Sequence, residues 1–443
     1  MGAVAVDMGA SGARIVCGWL EDGKIVIDEV EQITHDVVDR SWDFKRLKNL
    51  TKKGVRVARD RFKKGSVGID SWGVDHGFID NKGKLIQDPI AYRDATHVEQ
   101  FKRLAGHRRR LFQLTGIQHQ PFNTLYQLAA RREETPSLVT DARWMILPDL
   151  LGHMLTGETN YELTQASTTQ LMGLDDRWCA EAFEIIGWPM PQTQPSMPGR
   201  VIAEIEKGVH LSSVASHDTA SAVCGLGTLE DGDIFLNIGT WSLLGTILER
   251  PLATPEAEDG GWTNERMHDG RVRFLKNIPG LFIINRLHAE LEIEGSVGQW
   301  LASGDCDFAG RFDYFSESLF NPLSMAESVL DLATLRPKTS EQWAGLALCS
   351  LIDATASQPQ ALAELFGRKY TRIRLAGGGS RSEKVCRMLA KCSGLPVVAG
   401  PVEATALGNI AMQLVAMGEL SVSDATAALD ASYETITYTP GRS

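Results

Sequence analysis

Asp7-Met8-Gly9-Ala10-Ser11-Gly12-Ala13-Arg14 is the stretch on which the fold turns. The apolar run Ala3 to Val6 precedes it and the partly alternating run Ala13 to Leu20 follows, so it reads as a tight turn joining two strands. Gly9 and Gly12 let the backbone approach a ligand closely and reach positive φ. Successive N–H groups in such a turn form an anion-binding concavity, to which Ser11 adds a hydroxyl donor. Asp7, at the strand end, is placed to hold a hydrated Mg²⁺ beside phosphates. Taken alone, the same stretch also fits a plain glycine-rich hairpin.

Working outward, the pattern returns. Ile234 to Ile238 is an apolar strand, Gly239-Thr240 a small polar turn, and Trp241 to Leu248 a second strand. Strand, turn, strand at residues 3–20 and again at 233–248 is the mark of a duplicated domain. A third turn, Gly377-Gly378-Gly379-Ser380, lies between the strand Ile373 to Ala376 and a helix over 381–393. Its glycines let the backbone face a flat ligand or a phosphate. The three together resemble the fold shared by sugar kinases, Hsp70 and actin, which implies α/β architecture: two actin-like (ribonuclease H-like) domains with an interdomain ATP cleft. Gly225-Leu226-Gly227 followed by Glu230-Asp231-Gly232 sets the expected boundary. That gives an N-terminal, sugar-binding domain over 1–226 and a C-terminal, nucleotide-binding domain over 227–443.

Composition narrows the function classes. A chain of 443 residues is too long for one hydrophobic core. With 45 Lys plus Arg against 56 Asp plus Glu, the formal charge is −11, a poor field for nucleic acid. The seven cysteines form no CxxC pair, so reduced thiols in a cytoplasmic protein are expected. The start of the chain lacks a signal-peptide pattern, and no window of about 18 uncharged apolar residues predicts a membrane span. GxxxxGK[ST], a GxGxxG after a strand, and GxSxG are all missing, which argues against a Walker nucleotide site, a Rossmann site and a nucleophile-elbow hydrolase. The expected partners are small molecules, and the expected assembly is a monomer or homodimer. Of the charged helical stretches, Lys45 to Lys64 and His107 to Arg110 read as solvated faces.

VASHDTASAV (214–223) places His217 and Asp218 at a strand-to-helix junction. Phosphoryl transfer to an alcohol needs a group that takes the hydroxyl proton, and a carboxylate suffices because the transition state is loose. A helix N-terminus favours the ionised form of such a carboxylate. The structural alternative is an N-cap aspartate beside a core histidine. DSWGVD (70–75) ends another predicted strand. The Trp72 indole can stack on a sugar ring, with Asp70 and Asp75 accepting from hydroxyls, or it can be core packing. Gln118 to Gln127 and Lys276-Asn277 add further amides.

These segments, with LTGIQHQPFNTLYQL (114–128), ASTTQLMGL (166–174), IGTWSLLG (238–245), LAGGGSRSE (375–383) and AGPVEATALGNIAMQ (399–413), resemble the FGGY carbohydrate kinases nearly end to end. The resemblance implies ATP-dependent phosphorylation of a ketose with Mg²⁺: L-rhamnulose at its 1-hydroxyl, or alternatively L-fuculose or a pentulose. It implies Asp218 as catalytic base, with Gly73, His217, Asp218, Thr219 and Asn277 on the sugar. It implies Ala10, Ser11, Gly12, Ala13 and Arg14 as the first phosphate loop, Thr240 as a second ATP contact, and Gly378 in the adenosine loop. Asn285 stands where the family often has glutamine near ATP. Three departures bear on the choice of sugar: Ser11-Gly12-Ala13-Arg14 replaces the usual Ser-Ser-Gly-Arg, His76 follows DSWGVD where an aromatic hydrocarbon is common, and the chain is shorter than typical members through trimmed loops near residues 35–42 and 204–213. Pocket shape discriminates sugars by only a few kcal/mol. A catalytically silent sugar sensor would keep the fold and bind sugar without forming ADP.

Overall fold

The computed structural model describes residues 1–10, 12–35, 37–320 and 322–441. Its internal contacts divide the chain into two units, and each draws on several stretches of sequence. Unit 1 takes Met1–Thr228, Ile247–Phe274 and Glu403–Tyr433; unit 2 takes Leu229–Thr246, Leu275–Val402 and Glu434–Ser443.

Unit 1 is built on a six-stranded sheet in the order Arg200–Glu206, Val209–Ser213, Gly65–Ser71, Gly2–Gly9, Gly12–Glu21, Lys24–Thr34. The strand Gly2–Gly9 pairs antiparallel with Gly12–Glu21 and parallel with Gly65–Ser71. Both faces of this strand are covered, which explains its unbroken apolar run. Val4, Val6 and Met8 pack on one side with Leu47, Leu50, Val55 and Ala58 of the helix Phe44–Arg61. Ala3 and Ala5 pack on the other with Leu407, Ile410, Ala411 and Leu414 of the helix Ala404–Ala416. The lysines and arginines of Phe44–Arg61 lie outside its buried stripe, as expected of a solvated face.

Ala404–Ala416 crosses the helix Asp218–Gly225 at backbone distance. A Cβ added at Gly225 would lie 2.0 Å from the Ala404 carbonyl oxygen, and one at Gly408 would lie 2.0 Å from that of Ser221. The run of small residues after Asp218 is what permits this crossing. A smaller sheet in unit 1, Leu85–Gln87, His76–Ile79 and Arg143–Ile146, carries the helical stretch that includes Thr124–Glu134 and Leu147–Thr156.

In unit 2, Asp233–Ile238 pairs antiparallel with Ser242–Leu248 and parallel with Arg372–Ala376; Arg372–Ala376 runs parallel to Val397–Ala399, which pairs antiparallel with Ile436–Tyr438. Unit 1 repeats this five-strand sequence of directions around Gly2–Gly9. The echo read from the two hairpins is therefore an echo of topology. The helical pattern over 342–366 divides into Ser340–Ala356 and Gln358–Phe366, because Pro359 in the first turn of the second helix cannot continue the first.

Candidate functional site

Asp7 and Asp70 stand opposite each other on neighbouring parallel strands, so two carboxylates occupy the same end of the sheet. Asp7 is also the register partner of Arg14 across the hairpin, and Arg14 Nη2 reaches its carboxylate at 2.6 Å. Arg14 Nη1 pairs in turn with Glu403, which immediately precedes the helix Ala404–Ala416. Further along that helix, Asn409 donates to Asp70, and Gln413 donates to the Asn409 oxygen at 2.6 Å.

Burial pushes the Asp7 carboxyl up, and Arg14 only partly offsets it. Asp70 is pushed well above the carboxylate range by burial and then by Asp7, with Asp218 adding to the repulsion. Burial works against the Arg14 charge, but Asp7 and Glu403 outweigh it and hold the guanidinium above its ordinary value. Ala10, Gly12 and Ala13, expected in the first phosphate loop, lie at this hairpin; Ser11 lies outside the described residues.

The second half of the site is the junction after Val209–Ser213. Ser71, at the end of its strand, bridges in parallel fashion to His217, and Ser71 N donates to Ser216 O at 2.9 Å. Asp218 opens its helix with a side chain 26% exposed. Thr219 fixes it, donating to Asp218 Oδ1 from N at 2.6 Å and from Oγ1 at 3.1 Å. His217 Nε2 is 3.5 Å from the same oxygen. Gly73 faces this ring: a Cβ there would lie 3.3 Å from His217 Nε2 and 3.2 Å from Thr168 Oγ1. Asp7, Arg14, Gly73, His217, Asp218 and Thr219 thus all belong to unit 1.

Sequence reasoning gave no role to Glu162 or Thr168. The buried Glu162 carboxylate accepts from Thr164 N and Oγ1, from Gln165 N, and from Ser216 N and Oγ. Thr164 Oγ1 accepts from His217 N at 3.1 Å. One carboxylate therefore ties the short helix Leu163–Ala166 to the chain just before Asp218. Its only trace in the sequence is an acidic residue just ahead of that helix. Glu403 and Asn409 lay within a quoted segment, but their partners are hundreds of positions away.

Some readings need correction. Trp72 is packed, not presented: its ring lies 4.3 Å from that of Trp42, and its Nε1 donates to Asp75 at 2.7 Å. Asp75 also accepts from Trp42 Nε1 at 2.5 Å and is fully buried, so it does not reach a sugar hydroxyl. Asp70 is likewise 0% exposed and held by Asn409. His76 is a core residue whose ring meets Phe78 and Trp144 edge-on, and burial, with Arg131, drops its pKa to about 3. It is a neutral packing group, not part of the sugar face.

Thr240, Asn277, Asn285 and Gly378 belong to unit 2. Thr240 lies in the turn between Asp233–Ile238 and Ser242–Leu248, and its carbonyl accepts from Phe282 N at 3.0 Å at the start of the helix Gly280–Glu290. Asn285 is exposed on that helix, and Asn277 is half-buried on the strand Val272–Ile278. A Cβ at Gly377 (φ +76°) would fall 2.5 Å from Asn237 Oδ1, and one at Gly379 would fall 2.6 Å from Ile238 Cβ, so the glycine turn packs on the hairpin strand. Gly378 between them is exposed, with nothing within 4 Å of its Cβ position.

The FGGY family of carbohydrate kinases, N-terminal domain, matches residues 3–215, and its C-terminal domain matches 234–417. The chain belongs to the FGGY family of carbohydrate kinases. This FGGY kinase is 34% identical to the rhamnulokinase of Yersinia pestis (strain Pestoides F), over 94% of this chain and 90% of that protein. It is 33% identical to the rhamnulokinase of Klebsiella pneumoniae (strain 342), over 95% and 91%. In fold it resembles the ligand-bound xylulose kinase from Lactobacillus acidophilus (TM-score 0.82, 16% identity, 99% of this chain and 94% of that one). The Plasmodium falciparum glycerol kinase with ADP gives a TM-score of 0.79 at 13% identity, with the same coverage. Family membership makes ATP the phosphoryl donor.

The residues present also fit a divalent cation. Asp70 Oδ1 is buried without a hydrogen-bond partner, and Asp7 and Asp218 crowd it with like charge. Among the described residues no three acidic, His or Cys side chains are grouped so as to hold a metal ion by themselves. One or two carboxylates, as Asp7 and Asp70 offer, suit a hard ion that takes its remaining ligands from water and phosphate.

Proposed function

We propose that this FGGY kinase transfers the terminal phosphoryl group of ATP to the 1-hydroxyl of L-rhamnulose, with Asp218 as the base. The observation that carries the substrate is the full-length similarity to rhamnulokinases, at 33–34% identity. The geometry supports the chemistry. Asp218 is partly exposed and held at Oδ1 by Thr219, while Gly73, Thr168 and His217 surround the ground beside it.

Gly73, His217 and Thr219 orient the ketose so that its hydroxyl lies within reach of Asp218, which accepts the proton as the P–O bond forms. Asn277 contributes a further sugar contact. Backbone N–H groups of the turn that holds Ala10, Gly12, Ala13 and Arg14 would receive phosphate oxygens; in unit 2, Thr240, Asn285 and Gly378 would be the nucleotide contacts. Asp7, with Asp70 behind it, would hold Mg²⁺, which when bound neutralises charge on the transferring phosphate. Arg14, pinned by Asp7 and Glu403, keeps the hairpin shape that this needs. Positioning and charge neutralisation supply most of the acceleration. The seven free thiols support a reducing, cytoplasmic setting.

The test is a panel of L-rhamnulose, L-fuculose, L-ribulose and D-xylulose with ATP and Mg²⁺, read by ADP release and by isolation of the sugar phosphate. L-Rhamnulose should give the highest kcat/KM. A different preferred ketose would overturn the substrate, and sugar binding without ADP would mark a sensor.

A further inference from the structure

Two charged side chains outside every motif read from the sequence meet the far edge of the His217 ring. Arg273, on the strand Val272–Ile278, is 0% exposed; Glu265, on the neighbouring strand Thr263–Arg266, is buried. Arg273 Nη2 lies 3.0 Å from Glu265 Oε2 and 3.0 Å from His217 Nδ1, and Glu265 Oε2 is 3.2 Å from the same nitrogen. Arg273 Nε donates to Arg266 O at 3.1 Å, which anchors the guanidinium to the strand beside it. Burial pushes the Glu265 carboxyl up, but Arg273 and His217 outweigh it and hold it below its ordinary range.

A buried ion pair is a poor way to gain stability, since apolar replacement of both partners is often neutral or better. This pair does something an apolar pair cannot. A polar partner at one imidazole nitrogen fixes which way the other points. With Nδ1 engaged, a ring flip would exchange those partners for carbon, so Nε2 stays on the side of Asp218 Oδ1 and Gly73.

We infer that Glu265 and Arg273 are positioning residues for the acceptor sugar, holding the His217 ring so that Nε2 meets the hydroxyl groups beside Asp218. This rests on the kinase reading above. It predicts a defect in ketose binding that spares ATP.

Initial rates with each substrate varied, on the full chain, test it. Glu265→Gln should raise the ketose KM by about tenfold or more while the ATP KM moves less than about twofold. Glu265→Asp, which keeps the charge but shortens the reach, should fall between. Because Glu265→Gln strands the Arg273 charge and can impair folding, a Glu265→Met and Arg273→Met double variant removes both charges and should fold with the same ketose defect. A folded double variant with wild-type ketose KM and kcat would overturn the inference. Protection from heat by the ketose alone is a second readout, independent of turnover. It should be present in the wild type and lost in both variants. If the wild type phosphorylates no ketose, the substrate reading fails and this protection still decides; protection that survives in the variants, or is missing from the wild type, overturns the inference.

Discussion

Asn409 donates its side-chain amide to the buried carboxylate of Asp70, 339 positions earlier in the chain. Gln413, one turn on, supports Asn409 and reaches Val4 O at 3.1 Å. The carboxylate end of the sheet in unit 1 is thus finished by a helix from the last part of the sequence. Replacing Asn409 by Leu leaves Asp70 buried with neither oxygen bonded. We expect a loss of about 1–3 kcal/mol, the cost of an orphaned buried polar group, measured by urea unfolding. Unchanged stability would show that Asp70 is satisfied in another way.

In the proposed mechanism Asp218 is the base. Asp218→Asn keeps the shape and the bond from Thr219 but removes the proton acceptor. Turnover should fall by roughly 10²–10⁴-fold, with the ATP KM little changed. Near-normal turnover would move the base elsewhere.

Gly73 leaves room that a methyl group would take. A Cβ at 3.2 Å from Thr168 and 3.3 Å from His217 is tight but can be absorbed by small shifts. Gly73→Ala should therefore fold normally and raise the ketose KM, and Gly73→Val should raise it further. Equal effects on ketose and ATP would show that the glycine matters to the fold rather than to the sugar.

Asp75 makes a prediction in pH. Burial pushes its carboxyl up to about 7, against bonds from the Trp72 and Trp42 indoles that favour the charged form. The folded state binds a proton that the unfolded state has already released, so this group's contribution is full below about pH 4 and is lost as pH rises through about 7. Asp75→Asn cannot ionise. Its unfolding free energy relative to wild type should therefore improve between about pH 5 and pH 8, by up to a few kcal/mol. A difference between the two proteins that stays flat over that range would place Asp75 in a more polar setting.

The sequence revealed the architecture because its decisive signals are local. A polar glycine turn between two apolar strands needs no distant partner to be recognised, and here it occurs twice. The Asp218 junction was readable for the same reason. What stayed hidden depends on pairing across the chain. Trp72 and Asp75 look like a sugar platform until Trp42 and Gln127 close over them. His76 looks like a departure in the pocket until the smaller sheet turns it inward. Glu265 and Arg273 lie outside every motif read from the sequence, and only the fold sets them against His217.

The crossing of Asp218–Gly225 with Ala404–Ala416 leaves no space for a side chain at Gly225 or Gly408. During synthesis the first 228 residues leave the ribosome well before the helix that must lie against them exists. Until then the Ala3–Ala5 face of the sheet and the small-residue helix after Asp218 have nothing to cover them. Those faces stay open to solvent over that interval, and a chain truncated ahead of residue 403 should be less stable to proteolysis than the whole one, not a working half.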